Sequence, residues 1–190
     1  MGLLSTSNTK LGRVCGFAIS TKSCGKYRFK KHQGCKEYCY ARKIENLRPR
    51  VKAKWEDNLK RTKRKDFVEK MADELSFSGD FIRVHVSGDF YSQEYLNKWC
   101  ELAWMFQHKT FLVYTKAIDL DFSKRPENLR VILSDDQQIW SPLHKYFDGV
   151  ATMQQDKKYF TCPYVEKRTT CDECMYCLNA DRPKIFFKKH

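Results

Sequence analysis

The stretch FIRVHVSGDF, residues 81–90, decides the fold class of this chain. Three apolar residues in it alternate with Arg83 and His85, and this period of two is the pattern of a β-strand. The strand is expected to end at the polar turn SGDF. Arg83 and His85 point away from the apolar face, so both could face a site on the other side of the sheet.

Strand and helix signals alternate on both sides of this stretch. Further strands are predicted at residues 13–20, 110–117, 129–136 and 149–153. Residues 41–75 have a helical pattern divided at Pro49, and residues 92–106 form an amphipathic helix with Ser92 as N-cap. This alternation predicts an α/β fold, with about four or five mostly parallel strands that are left open or curve into a partial (βα) barrel.

Polar residues follow three of these strands. They are Ser87, Gly88 and Asp89, then Tyr114, Thr115 and Lys116, and finally Ser134, Asp135 and Asp136. Each cluster alone is compatible with a turn or a helix cap. Because the carboxyl ends of parallel strands meet at one edge of a sheet, the three clusters together predict a ligand site there.

Composition limits the class of protein. The chain has 190 residues, 42% of them apolar, and a formal net charge of +13, which fits one globular domain. This positive charge either keeps the protein soluble or attracts a polyanionic partner such as nucleic acid or a nucleotide. Residues 42–65 are the most basic segment, either a solvated helix face or a phosphate-binding one. Its candidate nucleic-acid-binding residues are Arg48, Arg50, Lys52, Lys54, Arg61, Lys63 and Arg64.

No apolar run is long enough to cross a bilayer, and the N-terminus lacks the layout of a signal peptide. We therefore expect a cytoplasmic protein without a membrane partner. In such a compartment nine cysteines, an odd number, favour metal or redox chemistry over a disulfide framework.

The cysteines form two terminal sets around a cysteine-poor body. The C-terminal set comprises Cys162, Cys171, Cys174 and Cys177. Its CxxCxxC run favours a [4Fe–4S] cluster, with zinc as the alternative. The sequence thus predicts a main domain at residues 1–155 and a metal-binding extension at residues 156–190 packed on it.

The N-terminal set comprises Cys24, Cys35 and Cys39. Three thiolates on a [4Fe–4S] cluster would leave one iron open to a substrate or cofactor. Cys15 could close this set, although its place in an apolar strand favours a buried residue, and Cys100 is expected to be buried as well.

Two resemblances follow from these motifs. The segments GCKEYCYA, RVHVSGDFYSQEYLNKW, YTKA, VILSDD and CP…CDECMYC, in this order, resemble the phage "gene product 88" family of uncharacterised proteins. If the chain is phage-encoded, its compartment is the host cytoplasm.

The chain also resembles radical S-adenosylmethionine (SAM) enzymes, in which a three-cysteine loop follows the first strand of a partial barrel. The resemblance implies an open [4Fe–4S] cluster that binds SAM, an auxiliary C-terminal cluster and an electron donor. The loop spacing here, Cx10Cx3C, is wider than the usual CxxxCxxC. The implied cofactor-binding residues are Tyr40, Ser87, Gly88, Asp89, Thr115 and Ser134, and the catalytic candidates are His85, Lys116 and Asp135.

A second class of function stays open. The chain could be a non-enzymatic nucleic-acid-binding protein stabilised by iron–sulfur or zinc sites. Residues 42–65 would then contact phosphates, while Trp55 or Tyr27 stacks on bases.

Overall fold

The computed structural model of the chain describes residues 2–6, 8–28, 39–134 and 146–188, without the side chains of residues 25–28. These residues form a mixed α/β fold with one eight-stranded sheet and seven α-helices. The strands are β1 (Leu4–Ser5), β2 (Cys15–Phe17), β3 (Phe81–Val84), β4 (Thr110–Thr115), β5 (Leu129–Ser134), β6 (Gly149–Thr152), β7 (Phe160–Thr161) and β8 (Lys184–Phe186). The helices are α1 (Tyr40–Leu47), α2 (Pro49–Thr62), α3 (Phe67–Ser76), α4 (Gln93–Met105), α5 (Tyr164–Lys167), α6 (Cys171–Cys174) and α7 (Tyr176–Asn179). A 3₁₀-helix at Thr21–Arg28 follows β2.

The strand order in the sheet is β1-β2-β3-β4-β5-β6-β8-β7. Only β1 runs antiparallel to its neighbour; all other neighbouring strands are parallel. The order therefore follows the chain from β1 to β6, and β8 lies between β6 and β7. The parallel arrangement brings the carboxyl ends of β2 to β6 to one edge of the sheet.

Different elements of the chain pack against the two faces of the sheet. On one face Ile82, Val84 and Phe111 join the main core, which includes Met71 of α3 and Trp99 of α4. Burial of these large side chains is the main stabilising contribution to the fold. We call this side the helix face.

The opposite face, which we call the cysteine face, has a smaller apolar cluster. Leu112, Ile132 and Ile185 of the sheet pack there with Leu178 of α7, and Cys162 and Cys177 pack against this cluster. The alternation of side chains along β4 thus separates the two layers: Phe111 and Val113 face the helices, whereas Leu112 faces the cysteine-rich segment.

Most of the elements predicted from the sequence are confirmed. All five predicted strands are present, and the structure adds β1, β7 and β8. The 41–75 segment divides at Pro49, the first residue of α2, because proline suits the first helical turn. The Ser92 side chain caps α4 by accepting a 3.2 Å hydrogen bond from the backbone N–H of Tyr95.

The extra strands β7 and β8 both lie within residues 156–190 and belong to the same sheet as the rest. The division at residues 155 and 156 stays a prediction. None of the helices in the described part of the chain is both long enough and apolar enough to cross a bilayer.

Candidate metal centre and strand-edge site

The polar clusters that follow β3, β4 and β5 meet at the carboxyl edge of the sheet. Thr115 Oγ1 donates a 2.6 Å hydrogen bond to Asp89 Oδ1, and the backbone N–H of Lys116 donates a 2.8 Å bond to Asp89 Oδ2. Lys116 Nζ in turn donates to the backbone oxygen of Ser134 at 2.9 Å and to its Oγ at 3.0 Å. One hydrogen-bonded chain therefore joins the ends of three strands. Asp135 and Asp136 lie outside the described residues.

The Asp89 carboxylate is buried inside this network. Oδ1 also accepts a 2.8 Å hydrogen bond from the N–H of Phe90, so the two oxygens together accept three bonds. Burial raises the pKa of Asp89 to about 6, while the hydrogen bonds from Thr115, Lys116 and Phe90 oppose the rise. The side chain is thus mostly ionised at pH 7, and Oδ2 accepts one bond within the described network.

Gly88 brings the 3₁₀-helix against this edge. Its φ is +83°, and a Cβ atom at this position would lie 2.4 Å from Ile19 Cγ1 and 2.6 Å from Ser23 Oγ. Ser23 Oγ also accepts a 3.1 Å hydrogen bond from the N–H of Asp89. Because Ser23 precedes Cys24, the absence of a side chain at Gly88 lets the cysteine-bearing helix contact the strand-edge network directly.

His85 lies on the helix face, contrary to the expectation that it shares a face with Arg83. β3 ends at Val84 and His85 has a φ of +60°, so the alternation of the strand stops before it. Its Nε2 lies 2.9 Å from the Tyr95 hydroxyl, and its ring packs edge-on against Phe90. Burial, assisted by the nearby Arg83 charge, lowers the pKa of His85 to about 3, so the ring is neutral.

Cys162 directly follows β7, and two of the three short helices carry the other C-terminal cysteines, Cys171, Cys174 and Cys177. All four are thiols of intermediate exposure. Cys162 and Cys177 pack against the apolar cluster of the cysteine face, and α6 carries Cys171 and Cys174. At least two members of the predicted C-terminal set therefore lie on the cysteine face.

Local contacts fix the helix that carries Cys171 and Cys174. Thr170 and Glu173 form a reciprocal capping box at its start. The N–H of Cys171 donates a 2.8 Å bond to the backbone oxygen of Lys10. Asp172 accepts a 3.1 Å bond from the N–H of Arg13, so the N-terminal segment holds α6 in place.

Burial raises the pKa of two of the C-terminal thiols, Cys171 and Cys177. Burial raises the pKa of Cys177 to about 11, against the opposing effects of a hydrogen bond from Tyr114 and the charge of Arg83. Burial also raises the pKa of Cys171, again opposed by Arg83 and by Lys10. Among the described residues no group of three or more His, Cys, Asp or Glu is already arranged to hold a metal ion. Metal binding at this set would need the thiols to lose protons and move together.

Arg83 lies against Tyr114 on the cysteine face. Its guanidinium stacks on the Tyr114 ring, with the two centres 4.0 Å apart. Its positive charge acts on Cys171 and Cys177 at the C-terminal set and on Tyr40 at the N-terminal set. The charge of Arg83 therefore acts at two C-terminal thiols and at Tyr40, the residue after Cys39.

The N-terminal set is described only in part, since Cys35 lies outside the described residues. Tyr40, the first residue of α1, donates a hydrogen bond from its hydroxyl to the backbone oxygen of Val86. Although 45% of Tyr40 is exposed, burial of the hydroxyl raises its pKa; Arg83 opposes the rise, and Cys39 and Cys24 add to it. Cys24, Cys39 and Tyr40 therefore lie near one another, beside the end of β3.

The other two cysteines lie away from both sets. Cys15 is buried in the main core, as expected, and Cys100 is half-buried against it. Cys100 also lines a surface cavity of about 520 Å³ with Trp104 and Met105 of α4. This cavity is on the helix side of the sheet and contains none of the predicted site residues.

The basic segment is divided between structural and exposed residues. Lys54 donates to the backbone oxygen of Leu4 at 2.8 Å, and Arg64 pairs with Asp66 at 2.8 Å. Arg61 pairs with Asp57 at 3.3 Å, and Lys63 lies 5.9 Å from the centre of the Tyr91 ring. Arg48, Arg50 and Lys52 are exposed.

Trp55 is not available for stacking on bases. It is buried in a cluster with Ala18 and Ala41 and is only 8% exposed. Its neighbours one and two turns later, Asn58 and Thr62, are buried as well, so Trp55 belongs to the inward side of α2. The side chain of Tyr27 lies outside the described residues.

Fold and cysteines together define a mixed α/β protein that carries a candidate metal centre on one face of its sheet. The chain belongs to the Gene product 88 family, whose model matches residues 3–180. No match was found among curated proteins or among solved structures.

Tyr114 and Lys10 contact the candidate metal centre, although the sequence predicted Tyr114 only as part of the strand-end cluster and did not single out Lys10. Tyr114 contacts Arg83 and Cys177, and Lys10 contacts the segment of Cys171. The period-two pattern of β4 puts Tyr114 on the face of the sheet opposite to Phe111 and Val113. This pattern could have predicted that Tyr114 lies on the cysteine face. Lys10 has no such signal, because its contact depends on a fold-back from near the N-terminus.

Proposed function

We propose that this protein is an iron–sulfur protein that acts as a minimal radical SAM-like enzyme on a nucleotide, nucleic acid or other anionic substrate. Cys24, Cys35 and Cys39 would hold an open [4Fe–4S] cluster. The auxiliary cluster would be held by Cys162, Cys171, Cys174 and Cys177. The sequential order of parallel strands from β2 to β6 is compatible with the partial barrel of such enzymes.

The observation that carries this proposal is the position of Arg83, whose charge acts at two of the C-terminal thiols and at Tyr40, the residue after Cys39. Arg83 has no carboxylate partner among the described residues, and its Nε is buried without a hydrogen-bond partner. A buried cation is costly unless an anion lies near it. Neutral thiols do not provide that anion, whereas thiolates that bind iron do. The four cysteines and a guanidinium without a carboxylate partner among the described residues therefore support an anionic cluster, which the thiols would have to move together to hold.

The strand-edge residues would have binding roles. The ionised Asp89 carboxylate, held by Thr115 and Lys116, has acceptor capacity at Oδ2 for the ammonium group of SAM. Ser87 Oγ is buried without a partner in the described part of the chain, next to this carboxylate. Lys116 and Ser134 extend the same edge toward β5. A cluster bound beside this edge would supply the electron that cleaves SAM reductively.

Metal analysis of cysteine variants tests the iron–sulfur proposal. Protein purified without oxygen should be brown, with iron and acid-labile sulfide. The Cys24→Ala/Cys39→Ala and Cys171→Ala/Cys174→Ala double variants should each lose one cluster. Cys100→Ala is the matched control, because its thiol belongs to neither set. A colourless wild-type protein with stoichiometric zinc would contradict the iron–sulfur assignment and support the zinc alternative.

The SAM proposal needs a separate measurement. Reduced protein incubated with SAM should release 5′-deoxyadenosine, and the Cys24→Ala/Cys39→Ala variant should release none. Intact clusters that give no 5′-deoxyadenosine would contradict radical chemistry while leaving the iron–sulfur assignment in place.

A second candidate function is the binding of nucleic acid by a metal-stabilised, non-enzymatic protein. Arg48, Arg50 and Lys52 favour it, because they are exposed cations at alternate positions around the α1–α2 junction and none is in an ion pair with a described residue. Each cation that contacts a phosphate should contribute about one unit to the salt dependence of binding.

Matched triple variants test this second candidate. Arg48→Gln/Arg50→Gln/Lys52→Gln should weaken the binding of a single-stranded oligonucleotide and reduce its salt dependence. The control Lys157→Gln/Lys158→Gln/Lys167→Gln removes the same charge from exposed positions of the C-terminal segment. Equal losses in both triple variants would indicate a nonspecific charge effect and exclude a phosphate-binding site at the α1–α2 junction.

A further inference from the structure

A polar cavity of about 160 Å³ lies at the amino edge of the sheet, across the sheet from the strand-edge site. It is formed by residues that precede or begin the parallel strands β5, β6 and β8. Three connections from different parts of the chain therefore meet at this edge. The lining residues are Arg125, Arg130, Phe147, Asp148, Asp181 and Arg182. The cavity thus brings three arginines and two aspartates together.

Gly149 allows the segment before β8 to pack against the start of β6. A Cβ atom at Gly149 would lie 2.4 Å from the backbone oxygen of Pro183. The N–H of Val150 donates a 2.9 Å hydrogen bond to the same oxygen. The preceding residue, Arg182, has a φ of +43°, which residues other than glycine and asparagine rarely adopt. The fold therefore holds an arginine beside the cavity at a strained backbone position.

Arg125 and Asp148 offset each other in the wall of this cavity. Arg125 donates a 2.7 Å hydrogen bond to Asp148 Oδ1 and a 2.8 Å bond to the backbone oxygen of Leu129. Asp148 Oδ2 accepts a 2.7 Å bond from the N–H of Val131. Both carboxylate oxygens of Asp148 thus accept a bond within the protein, and the pair adds no net charge to the cavity.

Arg130 and Arg182 keep donor capacity that the described part of the chain does not use. Arg130 donates a 2.6 Å hydrogen bond to the backbone oxygen of Ala180, but its Nε is buried without a partner among the described residues. Arg182 is exposed and forms no ion pair within residues 2–6, 8–28, 39–134 and 146–188. Asp181, also exposed, is the remaining carboxylate of the lining. The cavity therefore has a net positive charge.

We propose that this cavity binds a phosphate group through Arg130 and Arg182. Guanidinium groups match phosphate oxygens with paired N–H donors, and such charged hydrogen bonds are about twice as strong as neutral ones. The cavity volume of about 160 Å³ is below the roughly 300–1,000 Å³ of sites that enclose a drug-sized molecule. The rest of a larger ligand would extend into solvent. Because the cavity is at the other edge of the sheet from Asp89, the inference is independent of the metal and SAM chemistry proposed above.

Calorimetric titration of the full-length protein with inorganic phosphate, at constant ionic strength, tests this site. Arg182→Asn should bind phosphate at least about tenfold more weakly than wild type, because it loses a charged hydrogen-bond donor. Asparagine tolerates the positive φ of this position, so the backbone keeps its conformation. Asp181→Asn should bind phosphate more tightly, since it removes the negative charge that opposes the ligand. Lys157→Gln is the matched control, because it removes one exposed cation outside the cavity.

Arg130→Gln should weaken phosphate binding as well, although it also removes the bond to Ala180. If that variant fails to fold, Arg182→Asn and Asp181→Asn decide the question. Wild-type affinity in Arg182→Asn overturns the phosphate site, as does an equal loss of affinity in Lys157→Gln. Absence of phosphate binding by the wild-type protein overturns it too.

A single-stranded oligonucleotide, titrated into the same variants, identifies the source of the phosphate group. Loss of oligonucleotide affinity in Arg182→Asn, together with the loss for inorganic phosphate, would assign the site to a nucleic-acid backbone. Unchanged oligonucleotide affinity, with the loss for inorganic phosphate retained, would assign it to a small phosphorylated molecule.

Discussion

The Thr115 hydroxyl donates a 2.6 Å hydrogen bond to Oδ1 of Asp89 and so links the end of β4 to the turn after β3. The same Thr115 oxygen accepts a 3.0 Å bond from the N–H of Ala117. The turn after β4 and the Ser-Gly-Asp motif are thus held by a shared set of buried polar groups. Such a network stabilises one arrangement of the strand ends when every member is paired.

Asp89→Asn should lower the free energy of unfolding by about 2–4 kcal/mol. The two Asp89 oxygens accept hydrogen bonds from Thr115, Phe90 and Lys116. In asparagine an NH₂ group replaces one of these oxygens, so at least one of the three donors would face another donor and its hydrogen bond would become a repulsive contact. Urea denaturation measures the loss. Asp73→Asn is the control, because Asp73 is exposed on α3 and should change stability little. Equal stabilities for the two variants would contradict the network.

The stability difference between wild type and Asp89→Asn should shrink as the pH rises from about 4 to above 6. The folded pKa of Asp89, about 6, is higher than its ordinary value of 3.8, so the folded protein binds the extra proton in this window. Stability from such a group is complete below its unfolded pKa and is lost as the pH rises through the folded pKa. Denaturation curves at several pH values measure the difference, and a constant difference would contradict the raised pKa.

His85→Asn should show the opposite trend. The pKa of His85 falls from 6.5 to about 3 on folding, so its contribution is complete above pH 6.5 and is lost as the pH falls toward 3. Asparagine tolerates the positive φ of this position, which separates the titration effect from backbone strain. The difference in stability from wild type should therefore increase with pH over this range. A decrease with pH would show that His85 is not a buried neutral ring.

Gly88→Ala should destabilise the protein by more than about 2 kcal/mol. A Cβ atom would lie 2.4 Å from Ile19 Cγ1 and 2.9 Å from the Ile19 backbone oxygen, at a backbone φ of +83°. Gly79→Ala is the matched control, because no atom lies within 4 Å of a Cβ at that position. Thermal denaturation compares the two, and similar melting temperatures would exclude the close approach.

Asp172→Ala should impair metal loading more than it impairs folding. Hydrogen bonds from Thr170 and Arg13 hold the pKa of Asp172 near 2, so the carboxylate stays charged at every pH of practical use. Its contacts with Arg13 position α6, which carries Cys171 and Cys174, against the N-terminal segment. Iron content per chain measures loading, with the exposed Asp156→Ala as control. Full loading of Asp172→Ala would show that this tether is dispensable.

The local elements of the fold were predictable because each has a strong signal in the sequence. The alternation around Ile82 and Val84 predicted β3, Ser92 predicted the start of α4, and Pro49 predicted the division of the long helical segment. By contrast, β1, β7 and β8 have two or three residues each, too few for a period to be read. Their pairing depends on contacts between distant parts of the chain.

The site was predictable where it depends on strand ends and not where it depends on backbone detail. Parallel strands bring Asp89, Thr115 and Lys116 to one edge, so their meeting follows from the fold class. The period of two put Arg83 and His85 on one face, but the left-handed backbone at His85 sends its ring to the other. No residue type at that position requires such a turn. The prediction that Trp55 stacks on bases was wrong, because the many charged residues of α2 did not indicate which side of the helix is buried.

The position of β8 between β6 and β7 determines what connects the last two strands of the chain. β7 and β8 are parallel neighbours, so the whole cysteine-rich segment is the crossover between them. A crossover usually contains one long helix that rests on the sheet by its own apolar stripe. Here it consists of three helices of four residues each, with Leu178 as their buried apolar residue. Metal would replace the missing apolar stripe, so a protease should release the last 30 or so residues faster from demetallated than from loaded protein.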